Sequence, residues 1–317
     1  MKTAIGVDIG GTKILMVAGT DKGKILARHK IPTQRTRAGA REFLSQLKTF
    51  VNRLDVPKSR IAGVGIAAPG AVDPGPGIVP RSPHMGGWKG FAIVREVRRA
   101  LGLPAVIGND ANAAALGEKY FGGGRKCRDF IYMTVSTGIG GGLIVNGQLV
   151  TGASYVGGEV GHMKIVPEGD PCKCGQAGCL EAYASGTGMA AYAERQLEKR
   201  VKSRAAEYIP EGEHLTAKIL GHVAKKRDRL AIETYKRGGY YLGIGIANLL
   251  NILNPERVIL GGGVLKSAPP DFFQAMRKSC KANAWPEAYR GVRLVRSKLN
   301  DAVGGLGALA LAFEALN

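Results

Sequence analysis

The sequence predicts an α/β protein built as two lobes, and three observations support this class. Short apolar β runs alternate with segments whose apolar residues recur at helical spacing. Glycine turns between β runs occur at residues 10–12 and again at 137–142, so the second half repeats a theme of the first. At 317 residues, each lobe has enough chain to bury a core of its own. We expect the two turns to face each other across a ligand cleft.

The N-terminal half opens with strand, turn and strand. Residues 3–9 alternate in polarity and run into the turn 10–13, after which β runs follow at 14–18 and 24–31. This order is a hairpin, which excludes the strand–glycine–helix order of Rossmann and P-loop units. Further along, the pattern predicts helices over 41–54 and 91–101, strands over 61–67 and 104–108, an Ala-rich helix after Asn109, and a Pro/Gly-rich loop over 70–90.

The second half repeats strands and helices around an irregular segment at 151–187. The predicted strands are 129–135, 143–145, 258–260 and 292–295, and the predicted helices are 189–202, 216–225, 230–253 and 308–316. We place one lobe at residues 1–108, joined by a C-terminal helix within 301–317, and the other at 109–300.

The chain carries a formal charge of +20. Residues 195–237 hold twelve Lys or Arg against six Asp or Glu. A nucleic-acid partner is one interpretation, but no nucleic-acid motif accompanies the charge, so we favour a solvated helical face on a protein that handles anionic substrates. The first residues lead directly into a strand with no signal peptide, and we expect a cytoplasmic protein.

The stretch from Asp8 to Lys13 has the groups that a phosphate site needs. Gly10, Gly11 and Thr12 offer backbone N–H groups and a hydroxyl, and Asp8 offers a carboxylate that suits hydrated Mg²⁺. A Gly-Gly-Thr turn alone is more often an ordinary hairpin. The second glycine turn strengthens the phosphate interpretation.

Asn109 and Asp110 stand where a strand gives way to a helix. In open α/β sheets ligands bind at this edge, so Asp110 could be a general base. It could equally be only the N-cap of the helix, since Asp is a favoured cap. The stretch by itself leaves both roles open.

Four potential metal ligands lie within eighteen residues. His162, Cys172, Cys174 and Cys179 form the pattern H-x9-C-x-C-x4-C. Four ligands of this kind suit a closed tetrahedral Zn²⁺ site of structural type, whereas the alternative is a group of reduced cysteines that merely lie near each other. The remaining cysteines, 127 and 280, suit small buried apolar positions.

Two carboxylates flank this predicted metal site. Glu159 precedes His162, and Glu181 follows Cys179. Two acids beside a rigid loop could accept hydrogen bonds from the hydroxyls of a sugar. If they lay on the surface without a ligand, they would be ordinary solvated acids.

Taken together, these motifs resemble the ROK family of sugar kinases and repressors, which has the actin-like, hexokinase-like ATPase (ribonuclease H-like) fold. The resemblance spans nearly the whole chain. Its parts are the stretches 8–13, 109–112, 137–142, 158–162, 172–181 and 259–263. ROK repressors carry a DNA-binding domain before the first strand, and this chain starts at that strand, so we expect the enzyme branch.

The resemblance implies a role for each matched residue. Asp110 would be the base for the 6-hydroxyl of the sugar. Sugar contacts would come from Gly70, Asn109, Asp110, Glu159, His162 and Glu181. ATP and Mg²⁺ would be held by Asp8, Gly10, Gly11, Thr12, Lys13, Thr137, Gly138, Gly140, Gly262 and Gly263. His162 would serve twice, with one ring nitrogen on zinc and the other on the sugar.

The expected activity is ATP-dependent phosphorylation of glucose by a homodimer or higher homo-oligomer. Three alternatives remain: a ROK kinase for mannose, fructose or an N-acetylhexosamine, a glucokinase that uses polyphosphate, and a non-catalytic sugar-sensing regulator. Neither nucleic acid nor a membrane is expected as a partner.

Overall fold

The computed structural model describes residues 2–79 and 86–316, and these residues form two compact units. Unit 1 comprises Met1–Arg128, Gly142–Gly158 and Ser297–Asn317, and unit 2 comprises Asp129–Gly141 and Glu159–Arg296. Within the described residues, no helix is both long and apolar enough to cross a membrane.

Strands and helices alternate as the apolar pattern predicts. The strands are β1 (Thr3–Ile9), β2 (Lys13–Thr20), β3 (Ile25–Pro32), β4 (Ile61–Ala68), β5 (Ala105–Asn109), β6 (Phe130–Val135), β7 (Ile139–Val145), β8 (Gln148–Leu149), β9 (Arg257–Gly261) and β10 (Arg293–Arg296). The helices are α1 (Arg37–Asn52), α2 (Ile93–Leu101), α3 (Asp110–Phe121), α4 (Leu180–Ala184), α5 (Gly186–Glu198), α6 (Ala217–Ala224), α7 (Arg229–Leu253), α8 (Gly263–Ser267), α9 (Pro270–Asn283), α10 (Pro286–Gly291) and α11 (Val303–Leu316).

The first sheet has the order β3-β2-β1-β4-β5. The hairpin β1–β2 is antiparallel and the strands β1, β4 and β5 are parallel, so the predicted strand–turn–strand start is confirmed. The register pairs Asp8 with Ala67 and Ala68 with Asn109. The carboxyl ends of these parallel strands therefore share one edge, where α/β sheets bind ligands.

Helix α11 packs across the strands of the first sheet and against α3. Glycines make this approach possible, since a Cβ at Gly65 would overlap the carbonyl oxygen of Ala308 and a Cβ at Gly6 would meet the backbone of Gly305 and Leu309. Contacts of this kind place α3 in unit 1, whereas the sequence suggested a boundary between residues 108 and 109.

The second sheet has the order β10-β9-β6-β7-β8. Strands β6, β9 and β10 are parallel, and the register pairs Thr134 with Gly261. The turn after β6 and the glycines after β9 therefore lie at the same edge of this sheet. Helices α7 and α9 make the most extensive helix–helix contact of unit 2.

The predicted elements and the observed ones differ at element ends and in short helices that were not predicted, which are α4, α8 and α10. Strand β7 begins at Ile139 rather than at 143, so the second glycine turn is shorter than the predicted stretch 137–142. Helix α11 begins at Val303 rather than at 308, and α5 covers Gly186–Glu198 rather than 189–202. Helix α9 was not predicted. In the predicted loop 70–90, Trp88 is fully buried and its Nε1 donates to the carbonyl of Gln34 (2.8 Å). Residues 80–85 of this loop lie outside the described residues.

Candidate active site

The first glycine turn is held by the end of strand β3. The N–H of Gly10 donates to the carbonyl of Lys13 (2.9 Å), which closes the turn. Thr33 Oγ1 donates to the carbonyl of Gly10 (2.7 Å), and Arg35 Nη2 donates to the carbonyl of Gly11 (2.9 Å). These bonds fix the carbonyls of the turn and leave Thr12 and Lys13 exposed at its tip.

Asp8 lies just before this turn and against the first turn of α11. A Cβ at Gly304 would overlap the carboxylate of Asp8, so a larger residue there would displace that carboxylate. Burial raises the pKa of Asp8, and the nearby charge of Lys13 opposes this shift. A carboxylate whose charge is disfavoured by burial is well suited to a cation such as Mg²⁺, because the cation supplies the missing countercharge.

The N-cap of α3 is Asn109 and not Asp110. Asn109 Oδ1 accepts from the N–H groups of Ala111 (2.9 Å) and Asn112 (3.0 Å). Its Nδ2 donates to the carbonyl of Gly70 (3.0 Å), which joins two residues that were both predicted to contact the sugar. The idea that Asp110 is the cap is therefore wrong, because helix α3 has already begun at Asp110.

Asp110 is exposed at the first position of α3. Its Oδ1 accepts from the N–H of Ala111 (2.8 Å). The carboxylate lies at the carboxyl end of β5 and at a helix N-terminus, where a negative charge is stabilised. This is a position from which a base could reach a ligand at the sheet edge.

The second glycine turn is held by the start of helix α5. The N–H of Gly186 donates to the carbonyl of Ser136 (2.7 Å), and Thr187 Oγ1 donates to the carbonyl of Thr137 (2.9 Å). Within the turn, the N–H of Ser136 donates to the carbonyl of Gly138 (2.9 Å). As in the first turn, neighbouring donors occupy the carbonyls.

Glu181 connects this turn to the cysteine cluster. Its Oε2 accepts from the N–H of Ile139 (2.8 Å), and its Oε1 lies 3.9 Å from the thiol of Cys172. A Cβ at Gly138 would overlap Oε2, so a side chain there would displace the carboxylate from the turn. A predicted sugar residue and a predicted phosphate residue are thus in contact within unit 2.

Gly262 and Gly263 follow β9 beside the same turn. Gly262 has φ +104°, a conformation that favours glycine, and a Cβ there would overlap the carbonyl oxygen of Val135. A Cβ at Gly263 would lie 3.6 Å from Ser136 Oγ. The structure therefore brings Gly262 and Gly263 against the end of β6.

The four predicted metal ligands form one cluster. The ligand atoms of His162, Cys172, Cys174 and Cys179 all lie within 4.8 Å of one another. We call residues 162–179 the metal loop. Cys172 and Cys179 are buried, Cys174 is exposed, and all three are free thiols. A metal ion could bind here.

The two ring nitrogens of His162 face different groups. Nδ1 lies 3.9 Å from Cys172 Sγ, and Nε2 lies 3.9 Å from Glu159 Oε2. Burial raises the pKa of the Cys172 thiol to about 12, whereas the N–H of Gln176 lowers the pKa of Cys174. Cys174 is thus more readily ionised for a metal than Cys172.

Sequence reasoning missed the residues that support these turns. Thr33 and Arg35 hold the first turn, and Ser185 caps α5 beside the second. Ser185 had a signal, since a serine before a helix is a favoured cap. Thr33 and Arg35 had none, because their partners lie more than twenty residues away in the chain.

The profile of the ROK family matches residues 4–315. The chain belongs to the ROK family. A glucokinase of Halalkalibacterium halodurans is 35% identical over 307 residues, which cover 96% of this chain and 92% of the relative. The structure of a ROK family glucokinase from Streptomyces griseus in complex with glucose and AMPPNP superposes with a TM-score of 0.81 and 32% identity, covering 99% of this chain and 100% of that one.

The family also includes regulators. A xylose repressor of Caldicellulosiruptor bescii is 30% identical over 314 residues, which cover 98% of this chain but 78% of the repressor. The glucokinases match over nearly their whole length, whereas the repressor contains a further part that this chain does not match. Family, fold and relatives together support a ROK sugar kinase with a two-sheet α/β fold.

Proposed function

We propose that this protein transfers the γ-phosphoryl group of ATP to the 6-hydroxyl of glucose. The observation that carries the proposal is Asp110, an exposed carboxylate at the carboxyl end of β5 whose backbone is fixed by the Asn109 cap. The glucokinase relative with 35% identity over 96% of the chain supports the choice of glucose.

In this proposal Asp110 acts as general base. Its carboxylate takes the proton of the 6-hydroxyl while the oxygen attacks the γ-phosphorus, so that one O–P bond forms as the bond to the β-phosphate oxygen breaks and ADP leaves. A positioned base contributes about 10²–10⁴-fold to such a step. The rest of the catalysis is positioning and electrostatic stabilisation.

The glycine turns hold the phosphates in this proposal. The N–H groups of Gly11, Thr12, Lys13, Thr137, Gly138 and Gly140 would donate to phosphate oxygens, with Gly262 and Gly263 at the nucleoside end. The N–H groups of Gly10 and Ile139 already bond within the protein and would shape the turns instead. Asp8 would hold hydrated Mg²⁺, which when bound offsets the charge that moves onto the leaving phosphate. The raised pKa of Asp8 supports this role, because a bound cation would relieve the cost of its buried charge.

In this proposal Glu159, His162 and Glu181 would contact the sugar hydroxyls, and so would Asn109 and Gly70. Asn109 Oδ1 already accepts two N–H groups, so its sugar contact would use the amide Nδ2. Glu181 would link sugar and phosphate sites because it also binds the turn at Ile139.

The metal of the cluster is Zn²⁺ in this proposal. Thiolates about 2.3 Å from a tetrahedral zinc lie roughly 3.8 Å apart. The Sγ atoms of Cys174 and Cys179 are 3.7 Å apart, which fits this arrangement. One His and three Cys close the coordination shell, so the metal would be structural.

A substrate panel tests the function. Purified protein is assayed with ATP and glucose, mannose, fructose, N-acetylglucosamine or N-acetylmannosamine, and the product is identified by phosphorus NMR. We expect the highest kcat/KM with glucose and a 6-phosphate product. A higher kcat/KM with another hexose would make that hexose the assigned substrate in place of glucose. If none of the sugars caused release of ADP, a sugar-sensing regulator would be favoured.

A second donor tests the alternative of polyphosphate. The charge of +20 gives this donor a physical basis, because an anionic polymer is attracted to a cationic surface. The same assay compares ATP with inorganic polyphosphate at equal phosphate concentration. We expect ATP to be the better donor, and faster turnover with polyphosphate would overturn that expectation.

Elemental analysis tests the metal. We expect one zinc per chain in the wild type and its loss in C174S, with C127S, outside the cluster, as the matched control. Zinc loss should also raise KM for glucose, because His162 would lose its fixed orientation. A wild-type protein without metal, prepared with zinc in the medium, would contradict the assignment.

A further inference from the structure

Arg237 contacts the metal loop and is surrounded by three aromatic rings. Its guanidinium carbon is 4.8 Å from the ring centre of Tyr183, 4.3 Å from that of Tyr192 and 5.1 Å from that of Tyr241. All three distances are within the range of cation–π attraction. Only 20% of the side chain is exposed, so the stacked cation is largely withdrawn from water.

The same guanidinium binds the metal loop directly. Arg237 Nη2 donates to Asp170 Oδ2 at 3.0 Å, and Arg195 Nη2 donates to the same oxygen at 2.8 Å. Asp170 is two residues before Cys172. The carboxylate therefore ties the loop to helices α7 and α5, which carry the two arginines.

The backbone of Asp170 is fixed as well. Its N–H donates to the hydroxyl of Tyr183 (2.6 Å), and its carbonyl accepts from the N–H of Gly178 (2.9 Å). Tyr183 is 2% exposed and lies in α4, the helix that begins after Cys179 and carries Glu181. One cluster of contacts thus joins the loop, α4 and α7.

We propose that Arg237 is a positioning residue for the metal loop: by holding Asp170 within the tyrosine cage, it fixes Cys172 and the helix that carries Glu181. Metal retention and sugar affinity then both depend on Arg237, which is neither a metal ligand nor a sugar contact in the proposal. The sugar part rests on the proposed function, whereas the metal part does not.

The two arginines provide a matched comparison. Both donate to Asp170 Oδ2, but Arg195 is 40% exposed and no ring contact is recorded for it among the described residues. An exposed ion pair contributes little, whereas removing the caged cation leaves three rings without their cation and leaves Asp170 with only the more exposed Arg195. R237M should therefore be far more disruptive than R195M.

The test measures zinc transfer to a chromophoric chelator from zinc-loaded full-length protein. We expect release at least about tenfold faster in R237M, an intermediate rate in R237K, and a change below about threefold in R195M. D170N keeps the backbone bonds of Asp170 but loses its charge, so D170N and R237M should be strongly non-additive in the double variant. Should R237M not fold, R237K and D170N carry the same comparison.

Glucose kinetics give the second readout. We expect R237M to raise KM for glucose about tenfold while kcat stays within about threefold, because Arg237 acts on binding geometry and not on the reacting atoms. Zinc release from R237M and D170N at the wild-type rate, or failure of the wild type to retain zinc, would overturn the inference. If R237M released zinc faster than the wild type but the wild type phosphorylated no sugar, only the proposed function would be overturned.

Discussion

Asn109 carries two structural tasks with one side chain. Its Oδ1 caps α3 and its Nδ2 holds the carbonyl of Gly70, so it joins the ends of β4 and β5. We predict that N109A lowers the free energy of unfolding by about 1–3 kcal/mol, from a lost cap and a carbonyl left without its donor. Urea unfolding measures this.

N109S is the control for this prediction. A serine keeps a capping oxygen but is too short to donate to Gly70, so its loss of stability should be clearly smaller than that of N109A. Equal losses in the two variants would show that the cap contributes nothing measurable.

Asp8 shows a conflict between stability and function. Burial raises its pKa in the folded state, so the folded protein binds this proton more tightly than the unfolded chain does. The carboxyl therefore favours folding at pH values below its unfolded pKa of about 3.9, and that advantage is lost as the pH rises through the raised pKa. At neutral pH its charge opposes folding.

D8N should reverse this effect. We predict that D8N unfolds at the same or a higher urea concentration than the wild type at pH 7, while kcat with Mg²⁺ and ATP falls roughly 10–100-fold. D21N, at an exposed turn, serves as control and should change neither quantity appreciably. A clear loss of stability in D8N would contradict the account of Asp8.

Individual site residues were predictable to different degrees. The metal cluster was predictable because its ligands are close in sequence and their types are specific to metals. Which of Asn109 and Asp110 caps the helix was not predictable, since Asn and Asp are both favoured caps and the two residues are adjacent. The structure resolves it through Gly70, a partner thirty-nine residues away.

Helix α11 packs closely against the first sheet because glycines leave room for its backbone. A Cβ at Gly65 of β4 would overlap the carbonyl oxygen of Ala308, a backbone atom that cannot rotate away. We predict that G65A destabilises the protein by about 1–3 kcal/mol, as overpacking does. G291A, at the end of α10 where a Cβ would have nothing within 4 Å, should change stability by less than about 0.5 kcal/mol.

Thermal unfolding of these two glycine variants decides the point. If G65A and G291A had the same melting temperature, the close packing of α11 against the sheet would be contradicted.

Among the elements, hairpins and buried strands were predicted best. Strands β1 and β2 follow from alternation on both sides of a glycine turn, and local pairing leaves few other arrangements. Helix α9 was not predicted, although Phe272, Phe273, Met276 and Cys280 have helical spacing. The start of α11 was missed because Gly304, Gly305 and Gly307 favour no helix locally and are there for packing.

At the scale of the whole molecule, the charge of +20 should oppose folding through self-repulsion. Raising NaCl from about 0.05 to 0.5 M shortens the Debye length from roughly 14 to 4 Å. We therefore predict that the melting temperature rises across this range. A melting temperature that stayed constant or fell with added salt would mean that net repulsion between the positive charges does not limit stability.

The central claim is that the whole protein phosphorylates glucose with Asp110 as base. The most direct measurement is kcat for ATP and glucose in D110N beside the wild type. We predict a loss of about 10²–10⁴-fold with an unfolding midpoint that falls only slightly, because the cap of α3 belongs to Asn109 and Asp110 adds only its charge at the helix N-terminus. A D110N variant that keeps kcat within about threefold of the wild type would contradict the claim.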